Sequence, residues 1–352
     1  MPDRPIPDVN VALVGFGFAG RMFHAPLIGA VPGLRLHTIV SSQGEVARAA
    51  WPNARVVATY DEALADRAID LVVLATPNAV HAQQAHAALD AGKHVVVDKP
   101  FTVTLAEAES VVAHAERAGR VLTVFHNRRW DGDYLTVKRL MDEGALGDVL
   151  YFESRIDRYR PVVRDRWRER AGAGAGLWYD LGPHLVDQAL QLFGQPQAID
   201  ADLAIQREGA QVDDYFHVVL KYPRLLVVLH ASMLAAANDL RFVVHGTRGS
   251  YVKYGTDPQE AVLRGGGVPG GAEWGVDQRP GVLSVYEGER LVEREVEPVR
   301  GDWRAFYAGV RDAIVAGGEN PVAGGEAVGV MGVVETASKA SSLSTWERAD
   351  EG

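Results

Sequence analysis

Val9–Val14 is a short apolar run, and the chain turns out of it directly into Gly15-Phe16-Gly17-Phe18-Ala19-Gly20. Few folds admit a strand followed at once by G-x-G-x-x-G. The first glycine permits a tight turn, the second lets the backbone approach a phosphate, and the third lets the next helix press against the strand. Backbone N–H groups at the helix start then face the phosphates. The stretch Gly15 to Gly20, with Phe16, Phe18 and Ala19 at its variable positions, reads as the pyrophosphate loop of a dinucleotide-binding βαβ unit. A chain with 37 glycines has many glycine-rich turns, so the strand in front of the loop carries the argument.

The first ~125 residues keep that rhythm, with short β-rich runs alternating with alanine-rich helical ones. Candidate strands are Val9–Val14, Leu36–Val40, Arg55–Thr59, Leu71–Ala75, His94–Asp98 and Val121–Phe125; Val80–Ala91 and Leu105–Ala118 have helical spacing. Thr104 is placed to cap the second helix and Gly119 to end it. The strands are apolar throughout, which predicts a parallel sheet buried on both faces. Past His126 the pattern changes. One helix spans about Gly132 to Glu143. The strands that follow alternate polar with apolar residues: Tyr151–Ile156, Asp214–Leu220, Leu225–Ala231 and Leu240–His245. Such alternation predicts an antiparallel sheet with one free face. Gly265–Gly271 reads as a flexible surface loop, and Trp303–Ala316 and Glu326–Ser342 as helices that return to the body. The expectation is an α/β protein, with a Rossmann domain over residues 1–126 and an α/β domain with an open, mostly antiparallel sheet over 127–352.

Composition narrows the partners. The net charge is −10 without a strongly basic stretch, which argues against nucleic acid or an anionic membrane. No apolar run is long enough to cross a bilayer. Met1-Pro2-Asp3-Arg4-Pro5 lacks the apolar core of a secretory signal. With no cysteine there are no disulfides, thiolates or zinc–cysteine sites, as suits a cytoplasmic chain.

Ligands of open α/β sheets bind at the carboxyl ends of the strands, so those ends hold the candidates. An acidic residue about 20 positions past the glycines would mark NAD. Here the second strand runs into Ser41-Ser42-Gln43-Gly44 and the first acid, Glu45, comes late. Ser41 and Ser42 can donate hydrogen bonds to a 2′-phosphate, and Arg48 lies within reach, so NADP is expected ahead of NAD; the serines would also suit a plain turn. Thr76, Pro77 and Asn78 end the fourth strand, with His81 one turn on, either near the cofactor or solvated. Lys99 follows the fifth strand between Asp98 and Pro100, and a desolvated lysine there suits proton transfer. Asp180 and His184, four apart, share a helical face. Pro183 fits a helix only in its first turn, which places Asp180 near the N-terminus, where a carboxylate is stabilised. Carboxylate, imidazole and lysine beside a nicotinamide are what alcohol oxidation requires; a helix cap with a buried structural histidine is the plainer reading of the pair. No His/Asp/Glu cluster has metal-ligand spacing beyond that pair, so no metal is expected.

G-x-G-x-x-G, Asp98-Lys99-Pro100 and Asp180-x-Gly182-x-His184-x-x-Asp187, in that order, resemble the Gfo/Idh/MocA family of NAD(P)-dependent oxidoreductases over essentially the whole chain. Phe23-His24-Ala25-Pro26-Leu27, His126-Asn127-Arg128-Arg129-Trp130-Asp131 and Arg158-Tyr159-Arg160-Pro161 look like its NADP-dependent scyllo-inositol dehydrogenase branch. The resemblance implies interconversion of scyllo-inositol and scyllo-inosose. It implies proton transfer by Lys99 and His184, with Asp180 orienting the substrate. Asn127, Arg129, Tyr159 and Trp167 would lie near nicotinamide or substrate. It also implies a homodimer or homotetramer through the open sheet. Two positions depart from the pattern: Asp98 replaces the usual glutamate, and Gln43 an arginine that is frequent in the branch. Other readings are a dehydrogenase of a pyranose or other sugar, an NAD-dependent glycosidase, and a non-catalytic dinucleotide and sugar sensor.

Overall fold

The computed structural model describes residues 8–237, 239–341 and 344–345; Met1–Pro5 and Ser342, discussed above, lie outside the described residues. The chain divides into two compact units. The first runs through Trp130 and takes in Pro258–Gly275 and Asp302–Val328; the second comprises Asp131–Asp257, Val276–Gly301 and the chain from Gly329.

Six strands form the sheet of the first unit: β1 (Val9–Val14), β2 (Leu34–Val40), β3 (Arg55–Val57), β4 (Leu71–Leu74), β5 (His94–Val97) and β6 (Leu122–Val124). Their order is β3-β2-β1-β4-β5-β6 and every pairing is parallel. Parallel neighbours need crossovers, supplied by α1 (Ala25–Gly29), α2 (Gly44–Ala50), α3 (Tyr60–Leu64), α4 (His81–Asp90) and α5 (Leu105–Ala118). All of β4 and the valines of β5 are buried, as expected of a sheet covered on both faces. Local chemistry sets the ends of α5: Thr104 and Glu107 form a reciprocal capping box, and Gly119 closes the last turn in a left-handed conformation. The helix after the glycine loop is less regular than expected, because a π-helical turn over Gly20–His24 precedes α1.

In the second unit, α6 (Gly132–Asp142) leads into β7 (Val149–Arg155), and α7 (Leu177–Phe193) precedes β8 (Ala198–Ile205), β9 (Tyr215–Lys221), β10 (Leu226–Ser232), β11 (Leu240–Gly246) and β12 (Gly249–Tyr254). The hairpin β13 (Gly281–Glu287) and β14 (Arg290–Val296), with β15 (Ser344–Thr345), completes a nine-stranded sheet ordered β14-β13-β12-β11-β7-β10-β9-β8-β15. Among the described residues of this sheet, β7–β10 and β8–β15 pair in parallel and the rest antiparallel. β9 alternates half-buried and buried residues, and α7 packs on β9 and β10 with Trp178 edge-on to Phe216 at 4.9 Å. Among the later segments, α8 (Gln259–Arg264) and α9 (Arg304–Ala316) belong to the first unit, where α9 packs on α1. The last helix among the described residues is α10 (Gly324–Ala340). Gly265–Gly267 are exposed beyond α8, but Pro269 in the same glycine-rich stretch is buried.

Candidate active site

In the first sheet the strand order reverses between β1 and β4, the place where ligands of such sheets bind. Gly15 lies there at φ 95°, and a Cβ on it would stand 2.6 Å from the Ala75 carbonyl oxygen. A Cβ on Gly20 would stand 2.0 Å from the Gly15 carbonyl oxygen, so the helical turn touches the loop backbone. Gly17 has nothing within 4 Å of its Cβ position. Two glycines are closed against protein and the middle one is open, which fits a pyrophosphate resting on the middle of the loop. Phe16 is buried beneath, while Phe18 is exposed with the Arg264 guanidinium over its ring at 4.7 Å.

At the tip of β2 the Ser41 hydroxyl accepts a hydrogen bond from the Gln43 N–H at 2.9 Å, so this serine does close a turn. Ser42 is exposed. The Arg48 guanidinium leans back over the turn, with Nη1 3.3 Å from where a Cβ on Gly44 would be. No carboxylate occupies Ser41–Gly44.

After β4 and β5, His81 is not solvated. It is 1% exposed, with Nε2 2.9 Å from the Thr76 carbonyl and Nδ1 3.0 Å from that of Pro100. Burial lowers its basicity, against the pull of Asp98 and these carbonyls. The imidazole therefore sits between the Thr76-Pro77-Asn78 turn and the Lys99–Pro100 turn, with each ring nitrogen turned to a backbone carbonyl and, in the neutral ring, one of them donating. The Lys99–Pro100 bond is cis. Asp98 is buried and accepts from the Lys99 N–H at 2.8 Å. Burial alone would raise its pKa; His24, Lys99 and His81 outweigh this and bring it to about 2. Asn78 and Asn127 are also buried, Asn127 opening a short helical turn after β6. Arg129 from that turn has its guanidinium on Glu326 at 3.1 Å and on the Pro321 carbonyl at 3.2 Å. Those bonds tie it to the start of α10, a structural duty that the expectation of a nicotinamide or substrate contact did not include.

In the second unit, α7 begins at Leu177, earlier than Pro183 suggests. Pro183 is inside the helix, which corrects its expected place in the first turn; Asp180 is still in that turn. Asp213 caps the helix, accepting from the Trp178 N–H at 2.6 Å, while its own carbonyl accepts from the Leu177 N–H at 2.9 Å. Gly176, at φ 99°, leaves room for this, since a Cβ would meet the Asp213 carboxylate at 2.0 Å. Burial, aided by Asp214, pushes the Asp213 carboxyl up to about 7. Asp180 lies between two guanidiniums, Arg158 Nη1 at 3.6 Å and Arg168 Nε at 3.5 Å. His184, one turn further on, is buried. Tyr159 and Trp167 are exposed, and Arg168 stacks over the Trp167 ring at 4.5 Å. Below them a buried lattice fixes the segment: Arg207 pairs with Asp214 at 2.9 Å and Glu169 at 3.2 Å. No sequence motif assigns a role to Arg158 and Arg168. For Arg168 the signal in the sequence is the alternation Arg164, Arg166, Arg168, Arg170 in an acidic chain.

Among the described residues no group of three or more His, Cys, Asp or Glu could hold a metal, and no helix is long and apolar enough to cross a membrane.

A phosphate loop at the switch point of a parallel sheet, with a second unit built on a mostly antiparallel one, defines a two-part NAD(P)-dependent dehydrogenase. The chain belongs to the Gfo/Idh/MocA oxidoreductase family: residues 9–126 match its NAD-binding Rossmann fold and 134–252 its C-terminal domain. It is 54% identical to YdgJ of Escherichia coli, an oxidoreductase of uncharacterised activity, over 93% of this chain and 95% of that one. It is 38% identical to IolW of Bacillus subtilis, a scyllo-inositol 2-dehydrogenase (NADP+), over 96% of this chain and 95% of that one. Among solved structures, an oxidoreductase assignment from Yersinia pestis superposes with TM-score 0.91 at 50% identity, covering 95% of each chain. YvaA of Bacillus subtilis does so with TM-score 0.93 at 37% identity, covering 96% of this chain and 97% of that one.

Proposed function

We propose that the protein is an NADP-dependent dehydrogenase of cyclic polyols that interconverts scyllo-inositol and scyllo-inosose. The likeness to the Bacillus scyllo-inositol dehydrogenase carries this reading, and the intact set Lys99, Asp180 and His184 supports it. The bound nicotinamide supplies or takes the hydride at its C4. Lys99 and His184 are the groups that exchange the hydroxyl proton. Asp180, steadied by Arg158 and Arg168, accepts hydrogen bonds from ring hydroxyls and orients the ring. Ser42 and Arg48 favour a 2′-phosphate at the β2 tip, where a carboxylate would repel one. Thr76, Asn78 and Asn127 line the nicotinamide side of the same sheet. The enzyme works in the cytoplasm as a homodimer or homotetramer joined through the free face of the nine-stranded sheet.

The test is nicotinamide absorbance with NADP or NAD, against inositol isomers and aldoses. Strong NADP reduction with scyllo-inositol and little with myo-inositol or glucose is expected, together with a loss of kcat by orders of magnitude in Lys99→Ala and His184→Ala at unchanged NADPH affinity. Turnover on glucose or xylose would discard the inositol assignment. Silence with every substrate in both directions would favour the glycosidase or the sensor.

A further inference from the structure

His24 belongs to a motif that the proposed chemistry leaves without a task. It is fully buried in the first unit, in the helical turn after the glycine loop. Its Nδ1 is 2.6 Å from the Tyr307 hydroxyl on α9, its ring packs 4.3 Å from Phe125, and its Nε2 faces Asp98 Oδ1 at 3.7 Å. Asp98 is the carboxylate that holds the Lys99 N–H. A buried carboxylate is costly unless N–H groups or positive charge surround it. The titratable groups facing Asp98 are His24 from the helical turn, His81 from α4, Lys99 beside it in sequence and Tyr307 from α9. A carboxylate only accepts, so Nε2 must carry the hydrogen on the side that faces it. Tyr307 completes the logic. Burial, with the Asp98 charge, raises the phenol far above its ordinary range, so it stays protonated and can donate to Nδ1. With Nε2–H turned to the acceptor-only carboxylate, Nδ1 of a neutral ring accepts, and the Tyr307 phenol supplies the hydrogen it needs.

We propose that His24 is a positioning residue, clamped between the Tyr307 phenol and the Asp98 carboxylate, and that it acts on proton transfer through Asp98 and Lys99. This rests on the role given to Lys99 above. Without the imidazole, burial of Asp98 is opposed only by Lys99, His81 and the Lys99 N–H, so its carboxyl titrates higher than in the wild type and holds less firmly the charge beside Lys99.

The experiment compares wild type, His24→Leu, His24→Gln and Lys99→Ala. The first readout needs no turnover: the melting temperature of the cofactor-free protein between pH 3 and 7. A carboxyl whose folded pKa is lowered stabilises the fold above its unfolded pKa, and one that is raised destabilises it as pH climbs. The melting deficit of His24→Leu should therefore grow with pH and should shrink in His24→Gln, which restores a donor. A deficit constant across that range would mean that His24 only fills space and would overturn the proposal. The second readout is the pH profile of kcat, expected to move by about one pH unit or more in His24→Leu. A superimposable profile would overturn the link to proton transfer. Should His24→Leu not fold, Tyr307→Phe is measured in its place, with the same sign and a smaller effect. Near-normal turnover in Lys99→Ala would refute the role of Lys99 itself, whereas the melting comparison would still judge the contact between His24 and Asp98.

Discussion

In β4 every residue is buried, whereas β9 alternates half-buried and buried positions from Tyr215 to Lys221. The two sheets consequently place their chemistry in different ways. A strand covered on both faces has no side chain left for a ligand, so the candidate positions of the first unit lie at strand ends: Gly15 after β1, Ser41 after β2, Thr76 after β4 and Lys99 after β5. The second sheet has a free face, and polar groups enter it. Glu153 bonds Tyr151 and Arg155, and His230 lies 3.4 Å from Asp157. Burial, then Arg155 and His217, push His230 down to about 4. The first unit should therefore be intolerant of added atoms at its turns, and the second of lost charge in its lattice.

The sharpest way to break this contrast is Gly20→Val. Its Cβ must displace the Gly15 carbonyl, and we expect a loss above about 5 kcal/mol in unfolding free energy, among the largest effects of single substitutions. Gly17→Ala is the control: its Cβ points into open space, so its melting curve should match wild type while NADPH affinity, followed by fluorescence, falls. Equal melting of both variants would refute the tight-turn account.

Next in size is Arg207→Met, which leaves the buried Asp214 with backbone N–H donors alone and Glu169 with Arg166 and the Arg164 N–H, and should cost about 3 kcal/mol by urea unfolding. A near-neutral result would mean that the lattice is not what holds the Arg164–Arg170 segment.

The smallest effect concerns the cap of α7. The Asp213 carboxyl is raised to about 7 against an ordinary 3.8, so what it adds is full below the unfolded value and is lost as pH rises through about 7. Asp213→Asn keeps a carbonyl for the Trp178 N–H and removes the titration. The stability difference between pH 5 and pH 8 should narrow by roughly 1–3 kcal/mol. An unchanged difference would clear Asp213 of any part in pH dependence.

Sequence legibility follows the same division. β1 and the glycine loop could be read because burial on both faces leaves an unbroken apolar run. Arg290–Val296 could not, since its charged, exposed pattern carries no apolar contrast, and its register comes from pairing with β13. β8 carries Asp200 and Asp202 among its apolar positions and was likewise missed. The start of α7 was misplaced because Pro183 is a strong local signal, while the cap that overrides it comes from Asp213, distant in sequence. Lys99, Asp180 and His184 stand out in the sequence as candidates, by residue type at a strand end and by helical spacing. Partners such as Tyr307 for His24, 283 positions away, or Glu326 for Arg129 exist only once the chain is folded.

The His81 imidazole has a consequence for redesign. Because it spans the turns after β4 and β5, those turns behave as one jaw: a substitution that shifts either shifts the other. The β2 turn, closed by its own Ser41–Gln43 bond, is a separate module. If the proposed NADP preference holds, exchanging Ser41–Arg48 for a segment with an acidic tip should move the protein toward plain dinucleotide while leaving the turn that carries Lys99 in place.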